Sequence, residues 1–287
     1  MPQECAAREG AHALLNIIEA LILGVVQGLT EFLPVSSSGH LVLVPEFLGI
    51  AAPPLSFSVL VHLATLVAVA GYFLPDLKNM VLSVIAPRRL HDMQAVKYWR
   101  RLLLWLVIGS VPAAIAGLLL GNFFERLFAS TLAVGFFLIL TSVLLFGADL
   151  ALARRTKSPT PLGKMRPVDA LIVGCFQALA IAPGLSRSGA TIAGGVFLGF
   201  DRHTAARFSF LLSIPVILGA FVTELKDIGS KFVTASGWAY GLGAFAAALS
   251  GVVAIHFLLR YLRERSLRIF GIYTAVLGLL VAVLSLV

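Results

Sequence analysis

Charged residues are scarce in this sequence. Asp, Glu, Lys and Arg make up 13% of its 287 residues, whereas 59% are hydrophobic. A water-soluble domain of this length carries about 25% charged residues, so this chain has too few to cover a surface that faces water. The shortage excludes an ordinary soluble domain and predicts an integral membrane protein.

Several common functional motifs are also missing. The only two cysteines, Cys5 and Cys175, lie in the polar N-terminus and in an apolar segment, which indicates neither a disulfide nor a cysteine metal site. No HExxH, CxxC or P-loop pattern occurs, so neither a zinc protease nor a nucleotide-driven pump has support. The first ten residues do not follow the order of a signal peptide, so we expect the first apolar segment to belong to the mature fold.

Long uncharged runs fill much of the chain. Four of them contain no Asp, Glu, Lys or Arg: 102–120, 127–148, 232–259 and 269–287. Each approaches or exceeds the ~20 residues that a helix needs to cross a bilayer core of ~30 Å. None shows the alternating apolar and polar pattern of barrel strands. The sequence therefore predicts an all-α integral membrane protein.

An internal repeat becomes visible at a shift of 150 residues. Residues 24–41, GVVQGLTEFLPVSSSGHL, align with residues 174–191, GCFQALAIAPGLSRSGAT, with six identities in 18 positions. The apolar segments 170–183 and 188–200 are short and are separated by Pro, Gly and Ser. A helix of ~13 residues rises only ~20 Å, too little to cross the core. Such segments at matching places in two halves are typical of inverted-repeat membrane proteins with a midplane site.

The sequence thus predicts an inverted-topology repeat of about ten helices in a single transmembrane domain, 1–287. The pseudo-repeat halves, 13–152 and 168–287, are joined by a basic cytoplasmic loop, 153–167. The domain comprises two re-entrant helical hairpins and six full transmembrane spans. The hairpins cover 14–48 and 168–199, and the spans lie near 55–74, 101–121, 128–152, 204–223, 236–259 and 267–286.

Basic residues agree with this topology. Fourteen of the 22 fall into three connections that the topology places on one side: Arg88, Arg89, Lys97, Arg100 and Arg101; Arg154, Arg155, Lys157, Lys164 and Arg166; Arg260, Arg263, Arg265 and Arg268. The loops on the other side, 49–54, 121–127 and 224–235, carry no excess of positive charge. Cytoplasmic loops of membrane proteins are enriched in Lys and Arg. We therefore interpret the net charge of +8 as the enrichment of basic residues in cytoplasmic loops and not as a sign of nucleic-acid binding. In this topology both termini are extracytoplasmic.

Two polar stretches interrupt the apolar surroundings: PVSSSGH, residues 34–40, and PGLSRSGAT, residues 183–191. Broken backbone at membrane depth is tolerated only where it is buried in protein or lines a wet cavity. We therefore expect the two stretches to face each other across a polar pocket. Ionisable groups at this depth are costly and functional by default, which singles out Glu31 and Arg187.

The second stretch has the composition of an anion site. Gly184 permits unusual backbone angles, Ser186 and Ser188 add hydroxyl donors, and Arg187 brings a forked cation suited to phosphate oxygens. The helix that follows begins with free N–H groups that favour an anion. A plain helix cap explains one serine but not an arginine at membrane depth.

The first stretch has the composition of a nucleophile site. One of Ser36, Ser37 and Ser38 is expected to cap a helix that starts near Gly39. Three serines followed by His40 also resemble an activated nucleophile with a proton-transfer partner.

Other polar residues in apolar segments have simpler interpretations. Gln27 shares a helical face with Glu31, and an interhelical hydrogen bond explains its amide as well as a functional role does. Glu19 lies nearer the segment's start and is left out of the site. His62 and His256 are lone histidines in spans, which we interpret as hydrogen-bonded helix contacts.

At these residues the sequence resembles a known family. GVVQGLTEFLPVSSSGH and PGLSRSGAT closely resemble the two signature motifs of the bacterial undecaprenyl-diphosphate phosphatase family, of the bacitracin-resistance type. The likeness continues through FSFLLSIPVILGA, 208–220, over nearly the whole chain. The second motif matches without departure. In the first, many members have Glu where this chain has Gln27, so one carboxylate fewer is available here.

The resemblance implies hydrolysis of undecaprenyl diphosphate to undecaprenyl phosphate and inorganic phosphate, which recycles the lipid carrier of cell-wall synthesis and confers bacitracin resistance. Ser37 is the expected nucleophile, with His40 or Glu31 as its proton acceptor and Arg187 stabilising charge. A direct attack by His40 and a metal-bound water stay open. The expected phosphate contacts are Ser36, Ser38, Gly39, Gly184, Ser186, Ser188 and Thr191. A divalent cation, Mg²⁺ or Ca²⁺, is expected at Glu31, with Gln27 as a weaker ligand.

The resemblance also implies the surroundings of the protein. The expected partners are the polyprenyl diphosphate substrate and membrane lipids, without nucleic acid, and a homodimer stays open. The expected location is the bacterial cell (inner) membrane, with the active site open to the extracytoplasmic side. The competing hypothesis is a polyprenyl-phosphate lipid flippase or transporter that uses the same anion site without chemistry. The pair Ser37 and His40 favours the phosphatase, because a carrier needs no nucleophile.

Overall fold

The computed structural model describes residues 15–90, 92–128, 130–228 and 237–286, which contain helices and no strand. Cys5, residues 229–235 of the predicted loop 224–235 and residue 236 of the predicted span 236–259 lie outside these ranges. The eleven α-helices are α1 Ile17–Phe32, α2 Ser37–Leu48, α3 Leu55–Tyr72, α4 Leu74–Ile85, α5 Met93–Phe128, α6 Thr131–Ala153, α7 Pro167–Leu179, α8 Arg187–Phe197, α9 Arg202–Ile228, α10 Gly237–Tyr261 and α11 Arg268–Leu284. Short 3₁₀ turns occupy Pro87–Leu90 and Leu162–Lys164.

Five of these helices, α3, α5, α6, α9 and α10, are long and apolar enough to cross a membrane. They correspond to five of the six predicted spans. The sixth, 267–286, is the apolar helix α11, which at 17 residues is shorter than the other five. The chain is therefore an all-helical integral membrane protein.

The predicted spans near 55–74 and 101–121 leave 75–100 as a connecting loop, and this prediction is wrong. This segment contains α4 and the first turns of α5. Pro75 has no N–H to continue α3 but fits the first turn of a new helix, so α3 ends at Tyr72 and α4 starts two residues later. The basic residues that suggested a loop, such as Lys97 and Arg101, lie within α5. Lys and Arg are good helix formers and do not end a helix.

Two pairs of short helices correspond to the predicted hairpins. The first pair, α1 and α2, has 16 and 12 residues, and the second pair, α7 and α8, has 13 and 11. At 1.5 Å per residue these helices rise about 17 to 24 Å. Residues 33–36 connect the first pair and, with the first turn of α2, 37–40, are called the first tip below. Residues 180–186 connect the second pair and, with the first turn of α8, 187–191, are called the second tip.

The two halves of the chain pack into each other. α1 packs mainly on α10, and α7 packs mainly on α5, so each short pair lies against a long helix of the other half. Glycines make both contacts close: a Cβ on Gly24 would lie 2.1 Å from the Gly243 carbonyl oxygen, and one on Gly174 would lie 2.3 Å from that of Gly109. Gly24 and Gly174 are corresponding positions of the repeat. The packing therefore repeats along with the sequence.

Candidate active site

The two tips meet inside the helix bundle. The Ser188 hydroxyl donates to the Leu33 carbonyl oxygen at 3.0 Å, and Arg187 Nη2 donates to Glu31 Oε1 at 2.6 Å. A Cβ on Gly39 would lie 3.7 Å from the Cα of Gly184. The structure thus brings together the two polar stretches that the sequence predicts to face each other.

The same capping arrangement occurs at both tips. Ser36 Oγ accepts from the Gly39 N–H at 3.4 Å, and Ser186 Oγ accepts from the Gly189 N–H at 3.1 Å. Each serine also shares a hydrogen bond with the serine two positions on, at 3.2 Å in the first tip and 3.1 Å in the second. Ser36 has a φ of +72° and is the only non-glycine residue in the described ranges with a positive φ. Such strain, of about 1–3 kcal/mol, is typical of functional sites.

Glu31 forms the centre of the site. Its side chain is buried, with the residue 8% exposed. Oε2 accepts from the Ser37 hydroxyl at 2.6 Å and from Gln27 Nε2 at 2.9 Å, while Oε1 accepts from Arg187. α1 places Gln27 and Glu31 on one face because they lie four residues apart, and the first tip returns the chain so that α2 begins beside them. The site combines a hydroxyl, a carboxylate that can take its proton and a guanidinium.

Two buried polar atoms of this cluster have no hydrogen-bond partner among the described residues. They are Arg187 Nη1, a donor, and Gln27 Oε1, an acceptor. Unpaired buried polar groups are costly, so each indicates a place for a bound group. The donor suits an anion, and the amide oxygen suits a cation. The described ranges contain no group of three or more His, Cys, Asp or Glu side chains arranged to hold a metal ion.

His40 points away from this cluster. Its Nδ1 lies 2.7 Å from the Ser36 carbonyl oxygen and its Nε2 lies 2.6 Å from the Tyr273 hydroxyl, with the two rings stacked at 5.7 Å. Both ring nitrogens are therefore engaged, and no hydrogen bond joins His40 to Ser37. Bonding to the carbonyl of the preceding turn turns the imidazole toward α11. Of the two expected proton acceptors, the structure places Glu31, and not His40, on the Ser37 hydroxyl.

The hydroxyls of the second tip bond within the protein. Ser186, Ser188 and Thr191 are each 1% exposed. Thr191 Oγ1 donates to the Arg187 carbonyl oxygen at 2.7 Å and lies 2.6 Å from Ser209 Oγ on α9. These side chains attach α8 to its neighbours. Their expected role as phosphate contacts stays a prediction, as do the same roles of Ser36, Ser38 and Gly39.

Gly184 allows the second tip to lie against α6. Its φ is +90°, and a Cβ there would lie 2.3 Å from the Val134 carbonyl oxygen. Thr141 Oγ1 on α6 donates to the Gly184 carbonyl oxygen at 3.2 Å and accepts from the Ser186 N–H at 2.9 Å. Both contacts hold the start of α8, and with it Arg187, in position.

His62 is a residue of this site that the sequence reasoning missed. Its Nε2 lies 3.8 Å from Glu31 Oε2, and its Nδ1 lies 2.7 Å from the Ser58 carbonyl oxygen. The repeat offered a signal: Phe57-Ser58 matches Phe208-Ser209 after a one-residue slip, and at that shift of 151 His62 aligns with Ser213. Like Glu31 opposite Ile181 and His40 opposite Ala190, it is a position where only the first half has an ionisable side chain.

Other histidine and acidic residues agree with their simpler interpretations. His256 Nδ1 lies 3.2 Å from the Tyr72 hydroxyl, which is a contact between α10 and α3. Glu19 Oε2 accepts from the Asn16 N–H at 3.0 Å, and the Asn16 side chain accepts from the Glu19 N–H at 2.9 Å. Glu19 thus closes a capping box at the start of α1, away from the site. Cys175 is a free, exposed thiol.

Comparison with known proteins gives a consistent result. The model of the family described as bacitracin resistance protein BacA matches residues 20–280. An undecaprenyl-diphosphatase of Carboxydothermus hydrogenoformans is 44% identical over 275 residues, which cover 94% of this chain and 98% of that protein. An undecaprenyl-diphosphatase of Methanosphaera stadtmanae is 40% identical over 287 residues, which cover 96% of this chain and 100% of that protein. This chain therefore belongs to the bacitracin resistance protein BacA family.

Proposed function

We propose that this protein hydrolyses undecaprenyl diphosphate to undecaprenyl phosphate and inorganic phosphate, recycling the lipid carrier of cell-wall synthesis and conferring bacitracin resistance. The relatives that match nearly the full length are named for this activity. One observation carries the proposal in the structure: the Ser37 hydroxyl lies 2.6 Å from Glu31 Oε2, beside the guanidinium of Arg187.

The first chemical step is attack by serine. Glu31 takes the proton of Ser37 Oγ, and the oxygen attacks the terminal phosphorus of the diphosphate. The bond from that phosphorus to the bridging oxygen breaks, and undecaprenyl phosphate leaves as Glu31 passes the proton to the departing phosphate. A base in direct contact with the nucleophile raises the rate on the order of 10²–10⁴-fold.

The second step releases inorganic phosphate. Water attacks the phosphorus of the phosphoserine, Glu31 takes one water proton, and the bond from phosphorus to Ser37 Oγ breaks. Glu31 then returns the proton to that oxygen, so the enzyme is unchanged. The contact at 2.6 Å supports this route over direct attack by His40, whose ring nitrogens are engaged by Ser36 and Tyr273.

Positive charge around the site stabilises the phosphoryl oxygens. Arg187 Nη1 is buried and has no partner among the described residues, which makes it a donor for a phosphate oxygen. Ser37 and Arg187 are the first residues of α2 and α8, so two helix N-termini converge here. Helix N-termini bind anions through free N–H groups and the helix dipole.

The residues present also fit a divalent cation, Mg²⁺ or Ca²⁺. The Glu31 carboxylate and Gln27 Oε1, which has no partner in the described ranges, would supply oxygen donors, which both ions prefer. Because two side chains do not complete the coordination of either ion, diphosphate oxygens belong in the ligand set. Bound there, the ion would neutralise charge on the leaving phosphate.

The membrane arrangement is part of the proposal. We infer that the two short pairs are re-entrant hairpins in an inverted repeat of the halves 13–152 and 168–287, because their helices are too short to span and their tips meet. The positive-inside bias supports placing the basic connections in the cytoplasm of a bacterial cell. The active site then opens to the extracytoplasmic side of the cell (inner) membrane.

The experiment is phosphate release from undecaprenyl diphosphate by purified protein in detergent, with Mg²⁺ and with EDTA. Ser37→Ala should lower the rate by about 10⁴-fold or more, because it removes the attacking oxygen. Arg187→Ala should lower it by about 10³-fold, because it removes charge stabilisation. Ser285→Ala, an exposed serine at the end of α11, is the matched control and should keep the native rate.

Two outcomes would contradict the proposal. A Ser37→Ala protein with the native rate would rule out the serine route while leaving the activity in place. If the native protein binds the lipid but releases no phosphate, the phosphatase hypothesis is wrong. The flippase or transporter hypothesis, which needs Arg187 but no nucleophile, would then be favoured.

A further inference from the structure

The ring orientation of His62 leaves one nitrogen facing the active site. Nδ1 lies 2.7 Å from the Ser58 carbonyl oxygen, which can only accept a hydrogen bond. Nδ1 therefore carries the hydrogen, and Nε2 of the neutral ring presents a lone pair. That lone pair lies 3.8 Å from Glu31 Oε2, too far for a hydrogen bond between them.

Three atoms that carry lone pairs belong to this part of the site. They are His62 Nε2 from α3 and, from α1, Glu31 Oε2 and the buried, unpaired Gln27 Oε1. Glu31 Oε2 accepts from Ser37 and from Gln27 Nε2, but no hydrogen bond between described residues joins it to His62 Nε2. A lone pair and a carboxylate oxygen that face each other across 3.8 Å favour a positively charged occupant between them. The His62 side chain is 36% exposed, so the place is accessible.

We propose that His62 is a direct ligand of the active-site divalent cation, together with Glu31 and Gln27, and that it shifts the metal preference from Mg²⁺ toward Mn²⁺. The inference rests on the proposed function, which brings a cation to Glu31. Imidazole nitrogen suits transition metals, whereas carboxylate and amide oxygens suit Mg²⁺, Ca²⁺ and Mn²⁺. Mn²⁺ accepts both kinds of donor. Gln27 stands where many family members have Glu and therefore brings no negative charge to the cation. The neutral nitrogen of His62 adds a further protein ligand at this site.

An anion is needed for tight binding in this arrangement. The Arg187 guanidinium already lies on Glu31 Oε1, so a second cation beside the same carboxylate meets repulsion until phosphate oxygens arrive. The probe is therefore Mn²⁺ together with inorganic phosphate.

The test is pulsed electron paramagnetic resonance of Mn²⁺ bound to the purified full-length protein in detergent with phosphate. The native protein should show a hyperfine coupling from a directly bound ¹⁴N nucleus, which becomes the ¹⁵N coupling when histidine is labelled with ¹⁵N. His62→Gln should lose this coupling and bind Mn²⁺ on the order of tenfold more weakly. His256→Gln, a histidine of α10 bonded to Tyr72, is the matched control and should keep both.

The outcomes separate this inference from the proposed function. Absence of a nitrogen coupling in the native protein, or a coupling that persists in His62→Gln, would overturn the ligand role even if phosphate release is normal. The labelling experiment on the native protein needs no variant to fold. Loss of phosphate release in a native protein that shows the His62 coupling would overturn the phosphatase alone.

Discussion

The two tips share a framework and differ in chemistry. Ser36 and Ser186 cap the following helix in the same way, and each pairs with the serine two positions on. At the position between these serines, however, the first tip has Ser37 and the second has Arg187. Upstream, Glu31 of the first half corresponds to Ile181 of the second.

The difference has an electrostatic reason. Glu31 and Arg187 meet across the tips at 2.6 Å. If the first half also carried arginine, at position 37, two guanidinium groups would share the single buried carboxylate of Glu31, and like charges would lie close together. A site shared between two similar halves must therefore lose its symmetry in the side chains that face each other. The glycine contacts and the serine caps bring no charge to the other tip, so they can be the same in both halves.

The strongest way to test this comparison is to make the first half resemble the second at its acid. Glu31→Gln should lower phosphate release by about 10²–10⁴-fold, because it removes the proton acceptor of Ser37 and the charge partner of Arg187. The control is Ile181→Leu at the corresponding position, which should keep the native rate. A Glu31→Gln protein with normal release would show that another group takes the serine proton.

The packing comparison predicts equal effects in both halves. Gly24→Ala and Gly174→Ala each place a methyl group into a carbonyl of the other half, at 2.1 Å and 2.3 Å. Each should destabilise the protein by about 1–3 kcal/mol, measured as a lower thermal midpoint in detergent. Gly71→Ala, where a Cβ meets nothing within 4 Å, is the control. A large effect of only one of the two would show that the halves do not pack equivalently.

Hydropathy and the repeat predicted much of the fold. Lipid requires about 20 apolar residues for a span, so spans are visible in composition, and the tips are visible as matching Pro, Gly and Ser in short segments. The end of the span near Pro75 was predicted, but α4 and the first turns of α5 were missed because basic residues on both sides of Met93 resembled a loop. Each of these features depends on neighbouring residues in the sequence.

Contacts between distant helices were not predictable in the same way. His62 reaches Glu31 from another helix, and Tyr273 reaches His40 across 233 residues. Neither contact leaves a local pattern, because it depends on how α3 and α11 are placed. The direction of the His40 ring and the inward hydroxyls of Ser186 and Thr191 likewise follow from packing rather than from spacing.

The smallest expected effect concerns the two glutamines, which occupy corresponding positions of the repeat. Gln27 donates to Glu31, but at Gln177 the matching acid is Ile181, and both amide atoms are buried without a partner in the described structure. Replacing an unsatisfied amide by an apolar side chain of similar size removes a desolvation cost of about 1–3 kcal/mol. Gln177→Met should therefore raise the thermal midpoint in detergent, whereas Gln27→Met should lower it by removing a donor from a buried carboxylate. Opposite signs at matched positions would mean that the second half kept the amide after losing the acid it served. A midpoint that falls in Gln177→Met would instead show that this amide has a partner of its own.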